Sequence, residues 1–458
     1  MRTPGLTAIL GGPLGRHAAS GSWLPPARWV YALATLAWLV LVGRHAACVA
    51  DPSAQYKALC YTDAAALWGP RGIEQGLVPY VQTDLEYPVL TGGLIWLTRQ
   101  ASGLVPADDP RAAFLGVTAV ALFVCFLALV AVHLRLDARG AALLAGSPLI
   151  ITAGLINWDL LAVLLTSAAL LAWARDQPVW AGVLVALGAS AKFYPALLMV
   201  PILALCLRAL DWPMLTRVVL GFVGGFAAVN LPVFAAAPAG WLHQWTFHAG
   251  RGADLGSIWY ALELLGIDTP AATASRLLLV VGVGAVAALA VFARRRPRLE
   301  ELAFSVVTWF CLVNVVYSPQ YVVWLLPLLL LTRPGWRPLV IFTAAEIFYW
   351  WAVWIYLDGG FYSGDGAARP YVLAVLVRWG VQLWLVGRVV IGALSPSPRA
   401  SGRAAHPDDA HPDAANPHLA ANPDLDPTFW RHGATKSGPN QRHARGERDQ
   451  RDQRGERW

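Results

Sequence analysis

Long apolar runs separated by short polar loops make up most of the chain as far as Ile391. A helix needs about 20 apolar residues to cross the hydrocarbon layer of a bilayer, which is ~30 Å thick. The pattern therefore predicts an all-α polytopic membrane protein with about 12 transmembrane helices. The predicted spans are residues 28–47, 112–133, 141–156, 159–174, 179–191, 194–207, 215–234, 275–293, 302–317, 321–331, 339–357 and 371–391.

The apolar stretch 88–103 is too short to span, and we interpret it as an interfacial or re-entrant segment. When it is not counted, most basic loops fall on one side of the membrane, which the positive-inside rule assigns to the cytoplasm. Both termini are then predicted to be cytoplasmic, and the polar loop 48–87 extracytoplasmic. The exceptions to this rule are Arg44, Arg99 and Arg111.

The chain is predicted to have three parts. Residues 1–27 form a cytoplasmic N-terminal segment, and residues 28–394 form the transmembrane domain. Residues 395–458 are rich in Pro, Ala, Asp and His and end in a run of mixed charge. Such a sequence buries too little apolar surface to offset its ordering entropy, so this segment is predicted to be a disordered cytoplasmic tail.

Composition supports a chain that is solvated by lipid, with 57% hydrophobic and 14% charged residues and a mean hydropathy of +0.50. The net charge is +7, but the arginines are spread through the loops and the tail. Because they form no basic face with interleaved aromatic residues, we expect no nucleic-acid partner. Cys48 and Cys60 share the predicted outer loop, where they are able to pair in an oxidising compartment.

In this topology the polar sequences of the membrane region gather at the extracytoplasmic face. They are Cys60-Tyr61-Thr62-Asp63, Pro79-Tyr80, Asp84-Leu85-Glu86-Tyr87-Pro88, Asn157-Trp158-Asp159, Lys192-Phe193-Tyr194-Pro195, the loop with His243, His248, Arg251, Asp254 and Ser257, and Ser318-Pro319-Gln320-Tyr321 with Trp324. Each motif alone is weak, and their convergence on one side is the informative feature.

These motifs resemble those of the C-type glycosyltransferases, multi-span enzymes that take a sugar from a polyprenyl-phosphate carrier. The chain looks most like glycosyltransferase family 87, which includes actinobacterial mannosyltransferases of the cell envelope. The likeness rests on an acidic residue in the first outer loop, Gly-x-x-Pro-Tyr from Gly76, Tyr87-Pro88, Lys-x-Tyr-Pro from Lys192, and Ser-Pro-Gln-Tyr from Ser318. The chain departs from the family's usual Tyr-Pro-Pro at Val89.

The resemblance implies a transfer of a sugar, mannose by this likeness, to an envelope glycolipid, glycan or protein with inversion at the anomeric carbon. Asp63 matches the base that takes the proton of the acceptor hydroxyl. An alternative role for Asp63 is to cap a helix that starts at Ala64. Glu86 and Tyr87 are expected to bind substrate, and the alternative for Glu86 is an ordinary interfacial charge.

The polyprenyl-phosphate leaving group gains negative charge as it departs, which favours nearby cations. Lys192, His248 and Arg251 are the candidates; alternatively, Lys192 extends to the headgroups, and the other two lie in a plain surface loop. Further substrate-binding candidates are Tyr194, Gln320 and Tyr321. For the last two the alternative is that Pro319 merely separates two spans. Asn157 and Asp159 are ambiguous between helix capping and lining the cavity.

Glu346 lies in the middle of an apolar span, where a carboxyl group requires a partner, and Asn314 and Asn230 are the candidates. Structural pairing is favoured over catalysis for it. No cofactor and no metal are expected, because residues 28–394 contain no Asp-x-Asp motif or carboxylate cluster of the kind that holds the metal of a nucleotide sugar. Membrane lipids, a polyprenyl-phosphate sugar donor and a lipid or glycan acceptor are the expected partners in the plasma membrane. The alternative functions are a secondary transporter or lipid flippase, and a catalytically inactive relative.

Overall fold

The protein is helical throughout the part that is described. The computed structural model describes residues 26–361 and 368–395, and it has no β-strand there beyond an isolated bridge between Pro79 and Thr83. The predicted all-α membrane fold is therefore confirmed for these residues. Residues 1–25 and 396–458 lie outside the described residues, so the predicted cytoplasmic segment and disordered tail stay predictions.

Six of the described helices are long and apolar enough to cross a membrane, and each lies at a predicted span. They are α1 Ala27–Ala50, α4 Pro110–Leu136, α10 Trp212–Ala236, α13 Ala271–Phe292, α16 Trp336–Leu357 and α17 Arg369–Leu394. The shorter helices are α2 Asp63–Ala66, α3 Val89–Ser102, α5 Ala138–Ala145, α6 Pro148–Ala153, α7 Leu160–Ala174, α8 Pro178–Ala191, α9 Met199–Ala209, α11 Pro238–Ala249, α12 Ile258–Leu264, α14 Leu299–Val313 and α15 Val322–Leu331. The other six predicted spans fall on such shorter helices, so their crossing stays a prediction.

One of these predicted spans, residues 141–156, is not a single helix. It is divided between α5 and α6, which are separated at Gly146 and Ser147. The Ser147 hydroxyl accepts a hydrogen bond from the Leu149 amide, and Pro148 occupies the first position of α6. Both features favour a new helix start over continuation. The apolar run concealed this break because its residues are hydrophobic on both sides of it.

Helix α3 occupies the stretch that was interpreted as interfacial or re-entrant. Its 14 residues extend over about 21 Å at 1.5 Å per residue, which is less than the hydrocarbon thickness. The helix starts after Pro88, and its buried face includes Thr91, whose hydroxyl donates to the carbonyl oxygen of Ala191 at 2.7 Å. This contact joins the end of the outer loop to the end of α8.

Helices α8 and α10 approach each other closely because glycine lies at their contact. A Cβ atom at Gly182 would be 2.1 Å from the carbonyl oxygen of Val218, and one at Gly221 would be 2.2 Å from that of Val179. Small residues at a helix contact let backbones pack tightly where no hydrophobic effect between helices is available in lipid. The pair forms a rigid support for Lys192, which follows the last residue of α8.

Helix α15 lies in the centre of the bundle. Every residue from Val322 to Leu331 is buried, and the run is apolar on all sides, as expected of a helix surrounded by protein. A 3-10 turn, Pro319–Tyr321, leads directly into it. The sequence after Ser318 is therefore held by the core and not by a surface loop.

The outer loop is fastened to the bundle by a disulfide between Cys48 and Cys60, as the sequence allowed. Cys48 lies in the last turn of α1, whereas Cys60 immediately precedes the segment that leads into α2. The crosslink therefore fixes the approach to Asp63 relative to a long helix.

The three arginines that oppose the positive-inside rule all donate hydrogen bonds to backbone carbonyl groups. Arg44 donates to Leu59 in the outer loop and to two carbonyls of α6. Arg99 donates to Ile73 and Glu74, each at 3.0 Å, and Arg111 donates to Cys48 at 3.4 Å. These bonds give each of the three arginines a structural role, which an orientation rule based on charge counts does not consider.

Candidate active site

Asp63 opens the short helix α2, and its side chain is available for chemistry. The helix cap is Thr62, whose hydroxyl accepts from the Ala64 amide, so the alternative of Asp63 as the cap is wrong by one residue. The backbone amide of Asp63 donates to the carbonyl oxygen of Ile156 at 2.7 Å, which joins the loop to the segment before α7.

Two tyrosine hydroxyls hold the Asp63 carboxylate. Tyr61 donates to Oδ1 at 2.8 Å, and Tyr87 donates to Oδ2 at 2.5 Å. Burial raises the pKa of the Asp63 carboxyl, and these two hydrogen bonds together with the positive charge of Lys192 oppose the rise without cancelling it. Burial and the nearby Asp63 charge also raise the pKa of the Tyr61 phenol, so it stays protonated and donates.

Lys192 forms an ion pair with Asp159 next to this carboxylate. Its Nζ lies 3.0 Å from Asp159 Oδ1, and its ammonium lies over the ring of Tyr87 at 4.7 Å from the centroid. The side chain is only 15% exposed, so the alternative in which it extends to the headgroups is not what the structure has. The other carboxylate oxygen of Asp159 accepts from Trp324 Nε1 at 2.8 Å.

The ambiguity between capping and cavity roles at residues 157 and 159 is resolved differently for the two. The Asn157 side-chain oxygen accepts from the Asp159 amide at 2.9 Å and stabilises the turn before α7. Asp159 precedes α7 but makes no side-chain capping bond, and its carboxylate is used entirely by Lys192 and Trp324. Asp159 is 3% exposed, so its charge requires this compensation.

Three aromatic rings stack beneath the ion pair. The Trp324 ring lies 4.4 Å from Tyr194 and 3.8 Å from Tyr321, with interplanar angles of 13° and 22°. The Tyr194 hydroxyl accepts from Thr166 at 3.2 Å. Next to Tyr321, Gln320 is buried, and its side-chain oxygen has no hydrogen-bond partner among the described residues.

The remaining predicted site residues lie at the periphery and are already paired. The Glu86 carboxylate forms an ion pair with Arg71 at 2.7 Å, while its backbone carbonyl oxygen lies 3.0 Å from His248 Nε2. His248 itself is exposed. Arg251 is bound to Asp254 at 2.6 Å. The structure thus brings Asp63, Tyr87 and Lys192 into one cluster and leaves these charges around it.

Sequence reasoning missed the full roles of Tyr61, Asp159 and Trp324. Tyr61 precedes Asp63 by two residues, a spacing that would have been the only local signal. Asp159 and Trp324 are 165 residues apart, and their hydrogen bond exists only because α15 packs beside the start of α7. The sequence placed the carboxylate of Asp159 between two predicted spans, but it did not indicate which residues bind it.

Glu346 is paired as expected, but with other partners. Its carboxylate accepts from Gln382 at 2.6 Å and from the Tyr317 hydroxyl at 3.0 Å. The proposed partners are wrong: Asn314 donates to the carbonyl oxygen of Val316, and Asn230 bonds Ser190 and Trp241. The reason is the packing of α16 on α17, which brings Gln382 to the Glu346 level.

In residues 26–361 and 368–395, no three His, Cys, Asp or Glu side chains come together in a group that could hold a metal ion. Whether the reaction needs a metal stays a prediction from the sequence.

The family model of Glycosyltransferase family 87 matches residues 87–319, which is just over half of the 458 residues. The matched range contains Tyr87, Asp159 and Lys192, and begins after Asp63. No curated protein matches the chain. Together with the apolar helices, the match gives the coarse identity that the motifs suggested. The chain belongs to glycosyltransferase family 87 and is a membrane glycosyltransferase.

Proposed function

We propose that the protein transfers a sugar, mannose by its family resemblance, from a polyprenyl-phosphate carrier to an envelope glycolipid, glycan or protein, with inversion and with Asp63 as base. The observation that carries the proposal is the Asp63 carboxylate held by Tyr61 and Tyr87 beside Lys192. This transfer requires a base for the acceptor hydroxyl and a cation for the departing phosphate, and the cluster contains both.

In the proposed step the acceptor oxygen bonds to the anomeric carbon while its proton moves to the Asp63 carboxylate. The bond between that carbon and the phosphate oxygen breaks, and polyprenyl phosphate leaves. A base with a raised pKa holds the proton better than an ordinary aspartate, because proton affinity increases with pKa. The two tyrosine bonds still keep the ionised form accessible before the step.

Lys192 is the cation best placed to stabilise the departing phosphate. An ammonium group has three N–H donors, and in the part of the chain that the structure describes Lys192 forms one ion pair, to Asp159. Asp159 and Trp324 fix its position, so little reorganisation is needed when phosphate charge develops. Arg251 is neutralised by Asp254, and His248 lies near Lys192 at the exposed edge, which suits a secondary role for both.

The sugar is proposed to bind beside the aromatic stack. Gln320 offers a side-chain oxygen without a partner, which suits a sugar hydroxyl that donates. Tyr321 is the neighbouring hydroxyl, and Tyr194 acts by holding Trp324 in place. Glu86, neutralised by Arg71, is proposed to orient the acceptor from the other side of Tyr87.

The site is proposed to face the extracytoplasmic side of the plasma membrane, with both termini in the cytoplasm. The Cys48–Cys60 disulfide supports this orientation, since disulfides form and persist in oxidising compartments. The hydrogen bonds of Arg44, Arg99 and Arg111 to backbone carbonyl groups give these three exceptions to the positive-inside rule a structural role, which supports the proposed orientation. A cysteine-accessibility experiment on intact cells at positions 63 and 192 checks the assignment.

The direct experiment compares Asp63→Asn with Asp51→Asn, a control at an exposed position of the same loop. Purified protein in liposomes receives radiolabelled polyprenyl-phosphate mannose and extracted envelope lipids, and the release of polyprenyl phosphate is measured. Removal of a general base costs roughly 10²–10⁴ in rate, so Asp63→Asn should lose transfer while the control retains it. Near-normal turnover by folded Asp63→Asn would eliminate the assignment.

A further inference from the structure

A cavity of about 560 Å³ lies against helix α2, where Thr62, Ala64, Ala65 and Ala66 line it but Asp63 does not. Its walls are the second half of α1 and the first half of α4, and its floor is formed by α2 and by Leu155, Asn157 and Trp158. Asp63, Tyr87, Asp159 and Lys192 do not line it, so it is separate from the proposed catalytic cluster. Its volume lies in the range of about 300–1,000 Å³ that is usual for ligand pockets.

The cavity exists because small residues face it from all three helices. Ala46 on α1, Ala64 and Ala65 on α2, and Ala112 and Gly116 on α4 line it. A Cβ atom at Gly116 would meet no other atom within 4 Å, so the space there is genuinely open. Large side chains fill most gaps of a packed interior, and an open volume of this size calls for an occupant.

The lining is mostly apolar, with polar atoms of His45, Thr62, Thr118 and Asn157 among the apolar side chains and a cation at one edge. Val42, Leu115 and Leu122 contribute aliphatic walls, whereas Gln55 and Arg111 provide polar groups. Arg111 forms no ion pair with any described residue. Within residues 26–361 and 368–395, its guanidinium makes one hydrogen bond, to the Cys48 carbonyl oxygen at 3.4 Å. An arginine with unused donors is suited to bind a phosphate group.

The two walls, α1 and α4, are both long and apolar enough to cross a membrane. An occupant that enters between them therefore comes from the bilayer, and it has an apolar chain and an anionic head. We propose that this cavity holds one acyl chain of an anionic glycerophospholipid of the surrounding membrane, with the lipid phosphate on Arg111. The bound chain supports α2 from behind and so keeps the Asp63 carboxylate in its orientation.

The binding test fills the cavity and compares the result with a matched change outside it. The protein is placed in nanodiscs containing phosphatidylglycerol with a photoreactive diazirine near the end of one acyl chain. Gly116→Phe and Ala119→Phe each put a ring into the cavity, and either variant suffices if the other does not fold. Val120 is also on α4, but it is 64% exposed and does not line the cavity, so Val120→Phe is the control.

We expect crosslinks to peptides of α1 and α4 in the native protein and in Val120→Phe, and at least fivefold fewer in the cavity-filling variants. Arg111→Gln should abolish the preference for phosphatidylglycerol over phosphatidylcholine while leaving some labelling. Equal labelling of all variants would overturn the proposal. So would loss of the label when unlabelled polyprenyl phosphate is added, because the cavity would then belong to the donor lipid.

The functional consequence rests on the proposed role of Asp63 and is tested separately. Transfer by the native protein should fall at least fivefold when phosphatidylglycerol is replaced by phosphatidylcholine, and Gly116→Phe should show the low rate in both lipids. If labelling behaves as expected but Asp63→Asn retains transfer, the lipid site stands and the catalytic proposal fails. If Asp63→Asn loses transfer and labelling is the same in every variant, the catalytic proposal stands and the lipid site fails.

Discussion

The hydrogen bond from Tyr87 to Asp63 offers the sharpest test of the proposed base. Tyr87→Phe removes one hydroxyl and keeps the ring that contacts Trp158 edge-on at 5.4 Å and lies under the Lys192 ammonium. The packing around the site is thus preserved. The carboxylate retains only the hydrogen bond from Tyr61 at 2.8 Å. Any change in the pH dependence of transfer then reports on the lost bond.

The size of the effect follows from the strength of the bond. A hydrogen bond to a charged group is worth about 1.5–3 kcal/mol, and one pKa unit corresponds to about 1.4 kcal/mol. Because the Tyr87 hydroxyl favours the ionised form of Asp63, its removal should raise the carboxyl pKa by about 1 to 2 units. A base must be ionised to act. As the pH falls, the variant should therefore lose activity at a higher pH than the native protein does.

The assay measures kcat/KM for sugar transfer as a function of pH, from acid to neutral. The acid limb of the Tyr87→Phe profile should lie about one unit or more above that of the native protein, and Tyr61→Phe should move it in the same direction. Tyr260→Phe, whose hydroxyl bonds Tyr356 at 2.9 Å, should leave it unchanged. An active Tyr87→Phe protein with an unmoved acid limb would refute the assignment of Asp63 as the titrating base.

Three further changes test other parts of the structure. Asp159→Asn removes the counter-charge of Lys192 and should lower kcat/KM about 10- to 100-fold, by the 1.5–3 kcal/mol worth of a hydrogen bond to a charged group. Arg378, buried on α17, donates a hydrogen bond to the carbonyl oxygen of Gly256 at 2.6 Å and is a cation near Glu346; Arg378→Met removes both and should lower the free energy of unfolding in detergent by about 1.5–3 kcal/mol, the worth of a hydrogen bond to a charged group. Cys48→Ser opens the disulfide and should cost about 2–4 kcal/mol of the same quantity.

Each of these changes has a matched control. Asp176→Asn alters an exposed aspartate two residues beyond the far end of α7 and should retain full kcat/KM. The control for Arg378→Met is Arg388→Met, on the same helix, and the control for Cys48→Ser is Cys125→Ser, at a cysteine outside the disulfide. Each control should lower the free energy of unfolding by less than the variant that it is paired with. An effect of equal size in control and test variants would show that the pairings named above carry no special energy.

The apolar runs alone were sufficient to predict an all-helical membrane fold, because lipid requires long hydrophobic segments whose backbone bonds are satisfied internally. The positions of the six long helices and of the short helix α3 followed from run lengths. The division of residues 141–156 into two helices did not follow, since the Gly146-Ser147-Pro148 signal lies within a hydrophobic run.

The sequence by itself also identified Asp63, Tyr87 and Lys192 as candidates, because short motifs preserve the residues that chemistry needs. Only the tertiary structure decided that Lys192 is paired with Asp159, that Trp324 holds Asp159, and that Glu346 is paired through α17. These contacts join residues far apart in the chain. Their geometry depends on how the helices pack, and no local pattern of polar and apolar positions encodes it.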